Sequence, residues 1–181
     1  MPRLLRAVAI TAALPLIVSG QAVSVHALKA AFLFNFAKFT EWPAHALSPG
    51  EPLVLCVVND PDVGQSLAEL TKGRVLDGHA LVVWTLKPDS SALAACRLLF
   101  LSGLDSTRSK ALLESLAGRP ILTVSDLGRF AEGGGVAGFF EERGSMRFAI
   151  NLDAARRASI QLSSKLLSLA RIVKDDRATP R

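Results

Sequence analysis

The residues that most often carry catalysis are scattered along this chain of 181 residues. Its three histidines are His26, His45 and His79, and none of them lies near a recognised nucleophile motif. The sequence has no G-x-S-x-G, P-loop or H-E-x-x-H pattern. A hydrolase would need His45 or His79 to fold against a serine or an aspartate. We therefore predict no catalytic residues, no metal site and no cofactor, and we expect the protein not to be an enzyme.

Three polar side chains follow the first predicted strand, at the edge where open α/β sheets place their ligand crevices. They are Asn59, Asp60 and Asp62, and acidic groups in this position could hold a cation. The same residues fit a solvated Asn-Asp-Pro turn, which is the simpler interpretation. A glycine-rich stretch at 132–136 precedes a strand rather than a helix, so we interpret it as a turn and not as a phosphate loop.

The two cysteines are Cys56 and Cys96. Cysteines outside the cytosol tend to pair, and a bond between these two would close a loop of about 40 residues and stabilise the fold by roughly 4 kcal/mol in the chain-entropy model. Two buried thiols that never meet are the alternative. A zinc site is excluded, because no histidines lie nearby in the sequence.

The first 22 residues have the layout of a secretory signal peptide. Arg3 and Arg6 precede an apolar run at 7–18, which small residues follow. We expect cleavage after Gly20 or Ala22. An uncleaved membrane anchor is the alternative, although the run is short for a bilayer span.

The predicted mature protein is a single exported domain at 23–175, followed by a disordered tail at 176–181. Half of the residues are hydrophobic, which is enough for a globular core. The net charge of the chain is +5, but the basic residues are interspersed with acidic ones. A nucleic-acid-binding protein normally shows a basic stripe, so we predict no nucleic-acid partner.

Short apolar runs alternate with helical patterns between residues 52 and 126. This order predicts an α/β fold, a three-layer sandwich whose mostly parallel sheet has helices on both faces. Two strand-like runs around 141–145 predict an antiparallel hairpin at the sheet edge. We expect one helix over 152–174, capped by Asn151 or Asp153. Its apolar face would carry Leu162, Leu166, Leu169 and Val173.

The densest aromatic stretch is KAAFLFNFAKFTEWP at 29–43, which we predict to be mostly helical. Leu33 and Phe34 point away from the main apolar face of this helix, which holds Leu28, Phe32, Phe36 and Phe39. A helix on a sheet needs one apolar stripe, so Leu33 and Phe34 require a second cover. That cover is either the C-terminal helix or another molecule, such as a second copy of the chain. Lys29 and Lys38 fit solvated positions.

Three aromatic residues of the predicted hairpin, Phe139, Phe140 and Phe148, form our predicted partner-binding surface. Alternation places Phe139 and Phe140 on opposite faces, so at most one of them can join the core. Burial of both under flanking helices is the alternative. An exported domain with surplus apolar surface is more often a binding protein than an enzyme. A module that binds a small molecule near Asn59 and Asp60, for a sensor or transporter, is the alternative function.

Three stretches resemble the YfiR-like family of periplasmic proteins, and they occur in the family's order. They are KAAFLFNFAKFTEWP, LVLCVVNDPDVG and MRFAINLDAARRASIQLSSKLLSLARIV. The likeness extends from about residue 25 to 174, and the closing stretch is its most specific part.

The resemblance implies a regulator without a cofactor that binds the periplasmic sensor domain of an inner-membrane diguanylate cyclase. It would hold the cyclase inactive, which lowers cyclic-di-GMP and biofilm formation. A peptidoglycan-binding outer-membrane lipoprotein would sequester it, and a homodimer is expected. Cys56 and Cys96 match one cysteine pair of the family. A second pair is missing, since 139–148 contains no cysteine, so redox control through that pair is not expected here.

Overall fold

A computed structural model describes residues 24–176. The predicted signal peptide and its cleavage site lie outside the described residues, as does the predicted tail beyond Asp176. The described chain forms a mixed sheet of eight strands with helices packed on both faces. The predicted α/β fold with a mostly parallel central sheet is therefore confirmed.

The elements follow the predicted alternation through the first two thirds of the chain. The helices are α1 (Val25–Lys38), α2 (Pro61–Thr71), α3 (Ser106–Ser115), α4 (Leu152–Arg157) and α5 (Ser164–Leu167), with a 3-10 helix at Ser91–Ala95. The strands are β1 (Thr40–Glu41), β2 (Leu53–Val58), β3 (Val75–Leu76), β4 (His79–Leu86), β5 (Leu98–Leu101), β6 (Leu122–Ser125), β7 (Ala137–Glu142), β8 (Ser145–Asn151), β9 (Gln161–Leu162) and β10 (Arg171–Val173).

The strands of the large sheet lie in the order β10-β8-β7-β6-β5-β2-β4-β3. The five central strands, from β4 to β7, run parallel. By contrast, β8 is antiparallel to β7 and β3 is antiparallel to β4. From β2 the chain adds β4 on one side and then crosses to add β5 on the other. A topological switch point therefore lies between β2 and β5, at the carboxyl ends of both strands.

Strand β2 is buried on both faces, and its side chains alternate between two separate cores. Leu53, Leu55 and Val57 join the core beneath α1 and α2. Cys56 lies in the opposite core and is bonded to Cys96, with the sulfur atoms 1.96 Å apart. Both cysteines are completely buried, so the bond links β2 to the loop before β5 beneath the surface.

The second cover of α1 is α2, which packs directly against it. Leu33 is completely buried in one cluster with Val63 and Leu67 of α2. Phe34 is partly exposed, and the guanidinium of Arg74 lies 5.1 Å from its ring centroid. Leu33 is therefore covered within the chain by the helix that follows β2, and the expectation that the C-terminal helix covers it is wrong. Phe34 is only partly covered, so its contact with a second copy of the chain stays a prediction.

The expected continuous helix over 152–174 is also wrong. Asn151 caps α4 as predicted, by accepting the N–H of Ala154 at 3.0 Å, but the helix ends at Arg157. Ser159 adopts the left-handed conformation with φ of 55°, and Ile160 then enters the core at 4% exposure. Tertiary contacts override helix propensity here, because the chain instead supplies β9 and β10 to two sheets.

The hairpin of β7 and β8 lies one strand inside the sheet edge, because β10 pairs with β8 on its outer side. The predicted position at the edge is therefore wrong, although the hairpin itself is confirmed. Beyond β10, the carboxylate of buried Asp175 accepts a hydrogen bond from Asn151 at 3.1 Å and pairs with Arg157 at 2.6 Å. Asp176, the first residue of the predicted tail, pairs with Arg129 at 2.8 Å. These contacts fix the end of the described chain to the domain.

Candidate docking site

The first turn of α1 forms one wall of an open groove on the surface. The helix begins after Ser24, whose hydroxyl accepts the N–H of Ala27 at 3.1 Å, so a side-chain cap holds this turn in place. Val25 and Leu28 line the groove and keep 52% and 37% of their surface exposed. Two large apolar side chains of α1 are therefore available to another molecule.

The hairpin of β7 and β8 forms the other wall. Phe139 faces Phe148 across the ladder, and their ring centroids lie 5.7 and 4.9 Å from that of Phe36 on α1. Phe140 lies on the opposite face of the strand, and the guanidinium of Arg171 sits 4.0 Å from its ring centroid. The prediction that at most one of Phe139 and Phe140 joins the core is therefore confirmed.

The space between these walls, here called the hairpin groove, has a volume of about 300 Å³. Its apolar lining consists of Val25, Leu28, Phe139 and Met146, and Phe140 borders it although its ring faces the other side of the strand. Its charged lining consists of Lys29, Asp126 and Glu141. The groove is therefore an apolar surface bordered by a few charges, which is the composition typical of a docking site.

Two of the three residues of the predicted partner-binding surface are buried in the structure. Phe139 and Phe148 are only 5% and 4% exposed, because they complete the aromatic core beneath α1, so neither ring presents a free face. Phe140 keeps partial exposure. Val25 and Leu28 line the groove instead. Sequence reasoning missed both residues: it assigned Leu28 to the main apolar face of the helix and did not consider Val25. Their positions one and two turns before Phe32, the first phenylalanine of α1, were the available signal.

Lys29 belongs to the groove lining and also to an ion-pair cluster. Its Nζ lies 2.6 Å from Oδ2 of Asp126 and 3.6 Å from Oδ2 of Asp60, and its side chain is 13% exposed. The hydroxyl of Ser102 donates to the same Asp126 oxygen at 3.0 Å. The interpretation of Lys29 as a solvated residue is therefore wrong. Lys29 precedes Leu33 by four residues, so it shares the buried face of the helix, and this spacing was the missed signal.

This cluster stands at the topological switch point. Asp60 follows β2, Ser102 follows β5 and Asp126 follows β6. Asp60 also accepts the N–H of Val63 at 3.1 Å and so caps α2, whereas sequence reasoning placed it in a solvated loop. A ligand that entered this crevice would have to displace the ammonium of Lys29. The crevice therefore gives little support to the small-molecule-binding alternative.

Other features of the described chain offer no catalytic arrangement. A ring nitrogen of His79 lies 2.7 Å from the carbonyl oxygen of Glu51, so it contacts backbone rather than a nucleophile. The sequence at 133–138 matches the dinucleotide-binding pattern G-x-G-x-x-G. It leads into β7 and not into a helix, so it lacks the helix N-terminus that such a site requires. Within residues 24–176, no group of His, Cys, Asp and Glu side chains could hold a metal ion. No helix in the same range is long and apolar enough to cross a bilayer.

The fold is similar to that of a solved structure, described as the crystal structure of a conserved domain protein from Vibrio cholerae O1 biovar El Tor strain N16961. The TM-score is 0.51 at 13% sequence identity. The similarity covers 84% of this chain but 60% of that chain, so this protein spans less than two thirds of its length. At this identity the likeness concerns the fold alone.

A family model described as YfiR/HmsC-like (DUF4154) matches residues 26–171. The matched range includes α1 from its second residue onward, the hairpin, the Lys29 cluster and both cysteines, and it agrees with the resemblance found in the sequence. The chain therefore belongs to the YfiR/HmsC-like family.

Proposed function

We propose that this protein binds the periplasmic sensor domain of an inner-membrane diguanylate cyclase and inhibits it. The family suggests a periplasmic regulator of diguanylate cyclases rather than an enzyme, which supports the class of function. The finer proposal is that binding holds the cyclase inactive, so that cells contain less cyclic-di-GMP and form less biofilm.

The hairpin groove is the observation that carries this proposal. Val25 and Leu28 remain exposed beside a fully packed aromatic core, so the groove is a surface feature of a folded domain. Exposed apolar residues that cluster beside charged ones mark interaction sites more often than accidental exposure. A regulator that acts by docking needs such a surface and needs no reactive side chains.

Of the two residues suggested for dimer contact, Leu33 is completely buried and offers no free surface, whereas Phe34 keeps partial exposure beside Arg74. We keep homodimerisation, and capture by a peptidoglycan-binding outer-membrane lipoprotein, as secondary proposals.

The test is a binding and activity measurement with the full chain, expressed with its predicted leader. The probe is the sensor domain of a diguanylate cyclase encoded beside this gene. We expect purified protein to bind it at micromolar concentration, and we expect coexpression to lower cellular cyclic-di-GMP. Leu28→Asp should abolish both effects, whereas Val75→Asp at the opposite sheet edge, where Val75 is 60% exposed, should not. Absence of binding by the unaltered protein would remove the proposal.

A further inference from the structure

The size of the hairpin groove limits what can occupy it. A volume of about 300 Å³ lies at the lower end of small-molecule pockets, which span about 300–1,000 Å³. The groove is open and is bordered by the exposed side chains of Val25 and Leu28. These features fit one or two anchoring side chains from a polypeptide, whose backbone stays outside the groove.

The net charge of the groove is opposite in sign to the net charge of the whole chain. Its lining holds one cation, Lys29, and two carboxylates, Asp126 and Glu141. Lys29 is already paired with both Asp126 and Asp60. Glu141 is exposed and takes part in none of the ion pairs formed within residues 24–176. The groove therefore carries a net negative charge in a chain whose net charge is +5.

We propose that the hairpin groove binds a basic, apolar segment of the partner, and this inference rests on the proposed function. One or two large apolar side chains of that segment pack between the first turn of α1 and the hairpin. A neighbouring lysine or arginine pairs with Glu141. An acidic segment would be repelled by Glu141, which has the same charge. The partner's charge at this site must therefore be positive.

The charge can be tested by reversing it in two places. Glu141→Lys replaces a negative charge of the groove with a positive one, a change of two charge units. Glu114→Lys makes the same change on exposed α3, where Glu114 has a weak contact of 3.9 Å with Lys110. With the cyclase sensor domain as the probe, we expect Glu141→Lys to weaken binding about fivefold or more, mainly through a slower association rate. Glu114→Lys should stay within about twofold of the unaltered protein, and Glu141→Gln should fall between the two.

Ionic strength gives a second readout of the same contact. The difference in affinity between the unaltered protein and Glu141→Lys should shrink as salt is raised, because screening weakens exposed charge pairs. Leu28→Ala should lose at least about tenfold in affinity at every salt concentration, because it removes an apolar anchor without changing the charge. Urea unfolding midpoints close to that of the unaltered protein establish that each variant is folded.

The outcomes separate this inference from the proposed function. If the unaltered protein binds the sensor domain and Glu141→Lys binds equally well or more tightly, the basic segment is refuted and the inhibitor function stands. If Leu28→Asp also binds normally, the groove is not the docking site. If light scattering shows that Leu28→Asp converts a dimer to a monomer, the occupant is a second copy of this chain. If the unaltered protein does not bind, the proposed function itself fails.

Discussion

The two faces of the sheet bury separate cores that are closed by different means. Beneath α1 and α2, five phenylalanine rings contact one another: Phe32, Phe36, Phe100, Phe139 and Phe148. On the opposite face the core is mainly aliphatic, and the Cys56–Cys96 bond crosses it. One face depends on the fit of large rings between a helix and a hairpin. The other is held by a covalent link and covered by shorter elements.

The aromatic packing explains why the candidate docking site lies on the α1 face. Both walls of the hairpin groove are built on the aromatic cluster, so the groove keeps its shape only while α1 and the hairpin stay packed together. Val25 and Leu28 are among the exposed large apolar residues of the described chain, and they lie together in the groove beside this cluster. Stability measurements on the two faces can test this contrast.

The largest effect is expected at the centre of the aromatic face. Phe36 is 1% exposed and contacts Phe139 and Phe148 of the hairpin. Phe36→Ala should lower the free energy of unfolding by about 3–5 kcal/mol, because it leaves a cavity in a packed core. Urea unfolding followed by circular dichroism measures the loss. Phe34→Ala is the matched control and should cost much less, and equal losses would refute the special role of the cluster.

The next effect is expected on the covalent face. Replacing both Cys56 and Cys96 with alanine should lower the free energy of unfolding by about 2–4 kcal/mol, because the unfolded chain regains the freedom of an open loop of 40 residues. The binding of the cyclase sensor domain should persist at temperatures where the variant is folded. Mass spectrometry after alkylation, with and without reduction, verifies the bond. Two alkylatable thiols in the unreduced protein would contradict the bonded structure.

A smaller effect is expected at the ion-pair cluster of the α1 face. Lys29→Met keeps an unbranched side chain but leaves Asp60 and Asp126 without their cation, and it should cost about 2 kcal/mol. Lys38→Met, at an exposed position of the same helix, should change stability by less than about 0.5 kcal/mol. Adding Asp126→Asn to Lys29→Met should recover part of the loss. Strict additivity of the two substitutions would show that the pair is not coupled.

The smallest effect concerns a close contact on the disulfide face. A Cβ atom at Gly135 would lie 2.0 Å from Cε1 of Phe130, which is buried in that core. Gly135→Ala should therefore cost about 1–2 kcal/mol through overpacking. Gly128→Ala is the control, since a Cβ atom added there would meet no other atom within 4 Å, and thermal unfolding should barely change. If both substitutions changed stability by the same small amount, the ring of Phe130 would have to move aside at little cost.

Much of the architecture was predictable because the parallel strands are continuous apolar runs. The strands β2, β5 and β6 were recognisable in this way, as was the hairpin. The site was less predictable. Lys29 resembles a break in an apolar helix until Asp60 and Asp126 are placed beside it, and these residues are 31 and 97 positions away. Such ion pairs form across elements and leave no local pattern.

The sequence alone determined the family, the α/β class and the residues that could pair as a disulfide, because these depend on motif order, apolar periodicity and residue type. Tertiary structure decided the rest. It placed α2 rather than a partner over Leu33, it broke the C-terminal segment into two short helices and two strands, and it left Val25 and Leu28 exposed. Burial depends on which elements meet in space. The periodicity of a helix shows which of its faces are apolar, but not which element will cover each face.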